Sequence, residues 1–257
     1  MLRTTTLPDS ARLALWLTAL LGDVASPDET LDQVLAGDTA HHVAGLPGED
    51  GPVPLMLAFG ALRRTGATGA GLALPVPGDP LGLAGPPELN AAALEVEEAV
   101  VLVGSDLGMV PHRAGSGVVW TCLPAQSRRQ VPDIPEAATT LRRTLLDTAN
   151  RLADLDVARW RPDVADALMA LRHGPHLDLP PGLPPGAAAL LGQAVQCQAI
   201  VDLAREDDGG AVSAAEAAPV RAASPSVPPV PRVPAILLTH KPGNGTASAA
   251  DHDFRRF

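Results

Sequence analysis

The 257-residue chain carries 29 acidic against 19 basic residues, a formal net charge of −10, and this balance repels a phosphate backbone and argues against a nucleic-acid partner. Hydrophobic residues are 46% and charged residues 19%, which is enough to bury a sizeable core in one large domain or two small ones. Aromatic residues are only 2%, with no Tyr, so that core has to be Leu, Val and Ala around Trp16, Trp120, Trp160 and Phe59.

Basic residues cluster only as short pairs, Arg63-Arg64, Arg128-Arg129 and Arg142-Arg143, and Lys241 is the only Lys. Cys122 and Cys197 are the only cysteines, and neither belongs to a C-x-x-C pair. They read as two buried free thiols in a reducing cytoplasm, not as a zinc or thioredoxin-like site. The first apolar run, Leu13 to Leu21, is far short of the ~20 residues that span a bilayer. Asp9 interrupts the region, so it does not read as a leader either. The expectation is a cytoplasmic protein without a membrane segment.

In chain order, "LPDSARLALWLTALLGD" predicts a helix with Asp9 or Ser10 as N-cap and Gly22 as stop. It is apolar on most faces, so it is covered by its own domain or by a second subunit. "SPDETLDQVLAG" follows with Ser26 and Glu29 as a capping box, Pro27 at the first helical position and Gly37 at the end. "GDTAHHVAGLPGED" reads as a loop, with His41 and His42 beside Asp38. His and carboxylates can bind a metal or move protons, but adjacent residues of an extended segment face opposite ways and no His or Cys partner stands at ligand spacing. No metal site is expected here.

"VPLMLAFGALRRTGA" predicts a third helix ending at Gly66, and "GAGLALPV" a strand. Then comes "LPVPGDPLGLAGPPELN", residues 74–90, which leads into a helix from Glu88 to Glu98. This loop has two readings. As a ligand-binding turn it would present Asp79, with Gly78, Gly82 and Gly85 letting the backbone approach a ligand. It is neither G-x-G-x-x-G nor a Walker loop, and Pro86 and Pro87 remove N–H donors from the helix start. As a rigid connection, its prolines fix φ while its glycines take positive-φ positions.

"AVVLVG" predicts a strand buried on both faces. "LGMVPHRAGSGVVWTCLP" predicts a hairpin turning through Gly115, Ser116 and Gly117. Ser105, Asp106 and His112 fall in or beside these strands and invite comparison with a catalytic triad, but no G-x-S-x-G elbow surrounds a nucleophile.

Past Pro124 the pattern turns helical. A capping box of Asp133 and Glu136 opens a long helix, "RPDVADALMALRHG" offers another, and Ala187 to Arg205 a last one. Arg142, Arg143, Arg151, Arg159 and Arg161 alternate with Asp147, Asp154, Asp156 and Asp163, as on a solvated helix face or a charge-matched interface. From Asp207 onward the composition is Ala, Pro and Ser with scattered charge, and the expectation is disorder.

Together these elements predict an α+β (or α/β) fold: a mixed sheet with helices in residues 1–125, a helical region in 133–206 packed on it, and a tail in 207–257. "GLPGEDGPVPLMLAFGALRRTGATGAGLALPVPGDPLGLAGPPELNAAALE" and "LADLDVARWRPDVADALMALRH" resemble a family of uncharacterised actinobacterial proteins. The resemblance covers most of the chain up to Asp208. It implies a bacterial, cytoplasmic origin and brings no cofactor, catalytic residue or binding residue with it. The leading expectation is a non-enzymatic protein that binds another protein or itself. The alternative is a small-molecule-binding domain or enzyme built on the 74–90 loop, with Asp79 acting alongside His112 or His42.

Overall fold

The computed structural model describes residues 7–78, 82–126, 134–154 and 177–206. Asp79, the Asp133 cap, the helix expected in "RPDVADALMALRHG", Trp160 and the 207–257 tail lie outside the described residues. The fold is mixed α+β. Helices α1 (Asp9–Leu21) and α2 (Pro27–Leu35) precede β1 (His41–Ala44) and β2 (Val53–Pro54). Then come α3 (Leu55–Arg64), β3 (Gly69–Ala73), α4 (Pro87–Val96), β4 (Ala99–Val103) and the hairpin β5 (Leu107–Ala114) and β6 (Gly117–Pro124). Helices α5 (Ile134–Asp154) and α6 (Ala187–Glu206) close the described chain.

The strands form one six-stranded sheet in the order β2-β1-β6-β5-β4-β3. Only β1 and β6 run parallel; the other neighbours are antiparallel. The expected hairpin is present, as is a β4 buried along its first four residues. The stretch expected as a loop around His41 and His42 is instead strand β1. It gains its ladder from β6, far along the chain, with His41 opposite Val118 and Val43 opposite Trp120.

One face of the sheet meets α1, α2 and α3 in a large core that holds Leu13, Trp16, Leu17, Leu62, Leu72, Leu102, Met109 and Trp120. From α6, Ala187, Leu191 and Val195 join that core. The other face meets α4 in a smaller cluster of Leu89, Ala93, Val101 and Val110. The helix sits low on the strands because β5 has Gly108 beneath it. A Cβ at that position would lie 3.0 Å from Leu89 Cδ2 and 3.3 Å from Ala125 Cβ.

The expected self-burial of α1 is met within the chain: Leu13 to Leu17, Ala19 and Leu20 are all buried. Its cap differs from expectation. Asp9 and Ser10 lie inside the helix, and Pro8 at the N-cap makes no side-chain cap bond. The missing acceptor comes from Glu98, just before β4, whose Oε2 accepts from the Ser10 N–H at 3.0 Å and from its hydroxyl at 2.5 Å. For α2 the expected cap is present: Ser26 Oγ accepts from the Glu29 N–H at 3.2 Å, behind Pro27.

Two threonines, one half-buried and one buried, show how the helices meet the rest of the fold. Strand β3 is a sheet edge, where unpaired backbone groups invite association. Thr18 on α1 closes part of it: its Oγ accepts from the Ala70 N–H at 3.0 Å, while its one proton is shared between the Ala14 carbonyl at 2.7 Å and the Ala70 carbonyl at 3.1 Å. Thr30 on α2 is fully buried, and its Oγ1 is the one buried side-chain polar atom without a partner among the described residues.

The same substitution at these two sites should therefore act in opposite directions. Thr18→Val should lower stability by about 1–3 kcal/mol, because it strands the Ala70 N–H; Thr30→Val should raise it by roughly 1 kcal/mol, because it removes an unsatisfied hydroxyl. Urea midpoints at unchanged m-value measure both, and equal shifts in one direction would refute the assignment.

Candidate functional site

The polar residues that converge in three dimensions do so at the N-terminal end of α1. Asp9 and Arg12 come from α1, Asp38 from the turn after α2, His41 from β1, Arg113 from the end of β5, and Trp120 from β6. Arg113 bridges two carboxylates: it reaches Asp9 Oδ2 at 2.7 Å and both oxygens of Asp38, at 2.8 and 2.9 Å. Arg12 pairs with the other side of Asp9 and also donates to the Leu7 carbonyl at 2.8 Å and the Val34 carbonyl at 3.3 Å. Asp9 is buried, and two guanidiniums plus the first turn of α1 balance its charge there.

Asp38 also meets His41, with Nε2 to Oδ2 at 3.0 Å. His41 is buried, and its Nδ1 lies 3.3 Å from Trp120 Nε1. An indole N–H can only donate. His41 Nδ1 must therefore accept, and the ring carries its proton on Nε2, directed at Asp38. The indole and imidazole rings are tilted by 57° with centroids 6.0 Å apart. Both ring nitrogens of His41 are thus committed to the fold, and neither faces a substrate.

The carboxylates of this cluster titrate in opposite directions. Burial pushes the Asp38 carboxyl up, but the hydrogen bonds from His41 and Arg113 and the charge of Arg113 outweigh it and hold Asp38 below its ordinary value of 3.8. Burial pushes Glu98 above its ordinary 4.5, the nearby Asp9 charge adds to this, and the two bonds from Ser10 only partly offset it. For Arg113, burial works against the charged form, but Asp38, Asp9 and Glu98 prevail and raise it. Burial alone drives the Cys122 thiol up to about 11 and raises Cys197 as well. Both cysteines are free and buried, as expected, and neither is poised as a thiolate nucleophile.

The residues expected to carry chemistry are placed as follows. Ser105 is buried in the turn between β4 and β5, Asp106 is exposed beside it, and His112 lies six positions further along, in β5. At about 3.4 Å per residue the strand holds His112 some 20 Å from Asp106, so these three form no triad. In the 74–90 loop, Gly78, Gly82 and Gly85 all take positive φ, at 87°, 87° and 96°. The far end of the loop is tied down: the Gly85 N–H donates to Asn90 Oδ1 at 3.2 Å, and the Gly85 carbonyl accepts from the Gln126 N–H at 3.2 Å. Asp79 itself is outside the described residues. His42 and His112 do come to one face of the sheet, on either side of Val119. The Glu98–Ser10 and Asp38–Arg113–Asp9 contacts join residues too far apart in the chain for any local motif to announce them.

Fold and site together define a mixed α+β protein whose polar cluster pins a buried helix to a sheet. By sequence, residues 10–136 match the family model described as "Rv1486c-like protein, N-terminal domain", and residues 135–223 match its "C-terminal domain" counterpart. The chain belongs to this mycobacterial Rv1486c-like family. The second match runs on to residue 223, past Asp208 where the resemblance was expected to stop. Comparison with curated proteins and with solved structures finds no match. Among the described residues no helix is long and apolar enough to cross a membrane.

The opposite shifts of Asp38 and Glu98 give opposite pH signatures. Asp38 binds its proton less tightly folded than unfolded, so its stabilisation is present above pH 3.8 and lost as pH falls through its lowered folded value. Asp38→Ala should cost on the order of 2 kcal/mol at pH 7 and converge on wild type in strong acid. Glu98 binds its proton more tightly folded, so its contribution declines as pH rises from 4.5 through its raised folded value. Glu98→Gln, which keeps an acceptor for Ser10, should therefore gain on wild type across that window. Chemical denaturation from pH 3 to 8 reads both slopes, and parallel curves for the three proteins would sink the assignment.

Proposed function

We propose that this is a cytoplasmic, non-enzymatic protein that acts by binding protein, in the first instance a second copy of itself. The observation that carries this reading is Leu146, which is 65% exposed on α5. Helix α5 gives a single stripe to the fold: Ala137 and Leu141 are buried with Leu190 and Ala194 of α6, and Ile134, Ala138 and Leu145 pack beside them. Leu146 lies off that stripe. Arg142 and Arg143, one turn before it, are exposed on the same side, and exposed Asp147 follows it. An apolar residue ringed by charge is the local pattern of an interface anchor. A face that carries both signs of charge can also match itself across a twofold axis, as an isologous dimer requires.

The polar cluster supports the same reading by its chemistry. Its buried His has both nitrogens occupied, and its carboxylates are spent on guanidiniums, the imidazole and a helix start.

Size-exclusion chromatography with light scattering, run over a concentration series, tests the proposal. Wild type should move from 26.3 kDa toward twice that mass, and Leu146→Asp should stay at the lower value. A wild-type mass of 26.3 kDa at every concentration up to several hundred micromolar would overturn self-association.

A further inference from the structure

Among the described residues, two histidines remain outside the network that consumes His41. Strand β6 places Val119 opposite His42 of β1 on one side and opposite His112 of β5 on the other. The three residues therefore form one row across three adjacent strands. They also share one face. His41 turns toward Trp120 and the large core, so His42, next along the strand, turns the other way. Arg113 turns toward Asp9 on α1, so His112 turns away from it. Both histidines emerge on the face that α4 covers only in part, beyond the cluster of Leu89, Ala93 and Val110. Both are half-buried, as is Val119. Neither imidazole has a hydrogen-bond partner among the described residues, in contrast to His41.

From this geometry we propose that His42 and His112 hold a divalent transition-metal ion above Val119. Two strand spacings put their backbones about 10 Å apart. A ring nitrogen sits about 2 Å from a bound zinc, so two imidazoles leaning toward each other over the short Val119 side chain close that span. Imidazole ligands suit copper, nickel and zinc, and affinity among divalent ions peaks at Cu²⁺. Among the described residues no group of three His, Cys, Asp or Glu side chains is placed to share an ion. The site thus supplies two protein ligands and leaves the other coordination positions to water or to a small anionic ligand. Such a two-ligand site holds its metal with modest affinity and exchanges it. This inference is independent of the dimer reading, because α5 contributes nothing to the site.

The test uses the full chain and the metal alone. Titration with Cu²⁺, followed by electron paramagnetic resonance and by calorimetry, is run on wild type, His42→Gln, His112→Gln and the double variant. Far-UV circular dichroism and thermal melts confirm that all four fold. Wild type should bind one more ion than the double variant, with nitrogen hyperfine structure in its spectrum. Each single variant should weaken that ion at least tenfold, and the double variant should lose little more than either single, since both ligands serve one ion. Amide signals of Val119 and Thr121 should broaden on Cu²⁺ addition in wild type alone. Equal stoichiometry and affinity in all four proteins would overturn the proposal, because any copper would then sit on other side chains such as His240 or His252. Additive losses in the two single variants would overturn it as well, because the histidines would then be acting as separate ligands.

Discussion

The constraint behind most of this structure is the enclosure of α1. A helix with Leu, Ala and Trp on nearly every side leaves water only if other elements surround it, and burying each large side chain contributes roughly 1.5–3 kcal/mol. The sheet face, α2, α3 and part of α6 provide that surround. Enclosure carries a second demand. The N-terminus of the helix goes inside too, bringing Asp9 and Ser10 with it, and an ionised carboxylate inside a protein is tolerated only when paired. Arg12 and Arg113 answer that demand for Asp9, and Glu98 accepts from Ser10.

This explains why a cluster so rich in ionisable groups is structural in its geometry. Arg113 satisfies Asp9 and Asp38 together, so it fixes the end of β5 to α1 and to the turn that leads into β1. Asp38 then orients His41, and His41 receives the indole N–H of the fully buried Trp120. The chain of bonds runs from helix to turn to strand to strand without a free end. Such a network rigidifies a core only when every member is satisfied. Glu98 is the exception in sign. It caps α1 from outside the helix, yet burial disfavours its charge, so the cap is strongest in geometry where its electrostatics are least comfortable.

What could be read from sequence divides along the distance over which each feature is determined. Helix α2, strand β4 and the β5–β6 hairpin announce themselves locally, through Ser26, Pro27 and Glu29, through an unbroken apolar run, and through Gly115 and Ser116 between alternating strands. Strand β1 does not. "HHVA" is four residues with two histidines, flanked by turn-forming residues, and it becomes a strand only because β6 offers it a parallel edge. The α1 cap was equally invisible. Asp9 and Ser10 looked like caps, but the acceptor is Glu98, 88 positions from Ser10. Strand alternation alone sends His41 and His42 to opposite faces; that His42 shares a row with His112 depends on two strand registers that no local pattern encodes.

The two faces of the sheet therefore have different standing in any account of function. The α1 face is closed: among the described residues its apolar side chains lie in the large core, and Thr30 Oγ1 is its one buried side-chain polar atom without a partner. Among the described residues the α4 face is only partly covered, because a ten-residue helix spans about 15 Å and its apolar cluster stops short of the His42, Val119 and His112 row. In a protein with so few aromatic residues, exposed or half-open positions that keep an imidazole or a large aliphatic chain stand out against an Ala, Gly and Pro background. Leu146 on α5 and the histidine row beside α4 are two such places, on separate elements and of different chemistry. One suits a protein surface, the other a small coordinating ligand, and neither draws on the bonds that hold α1 in place.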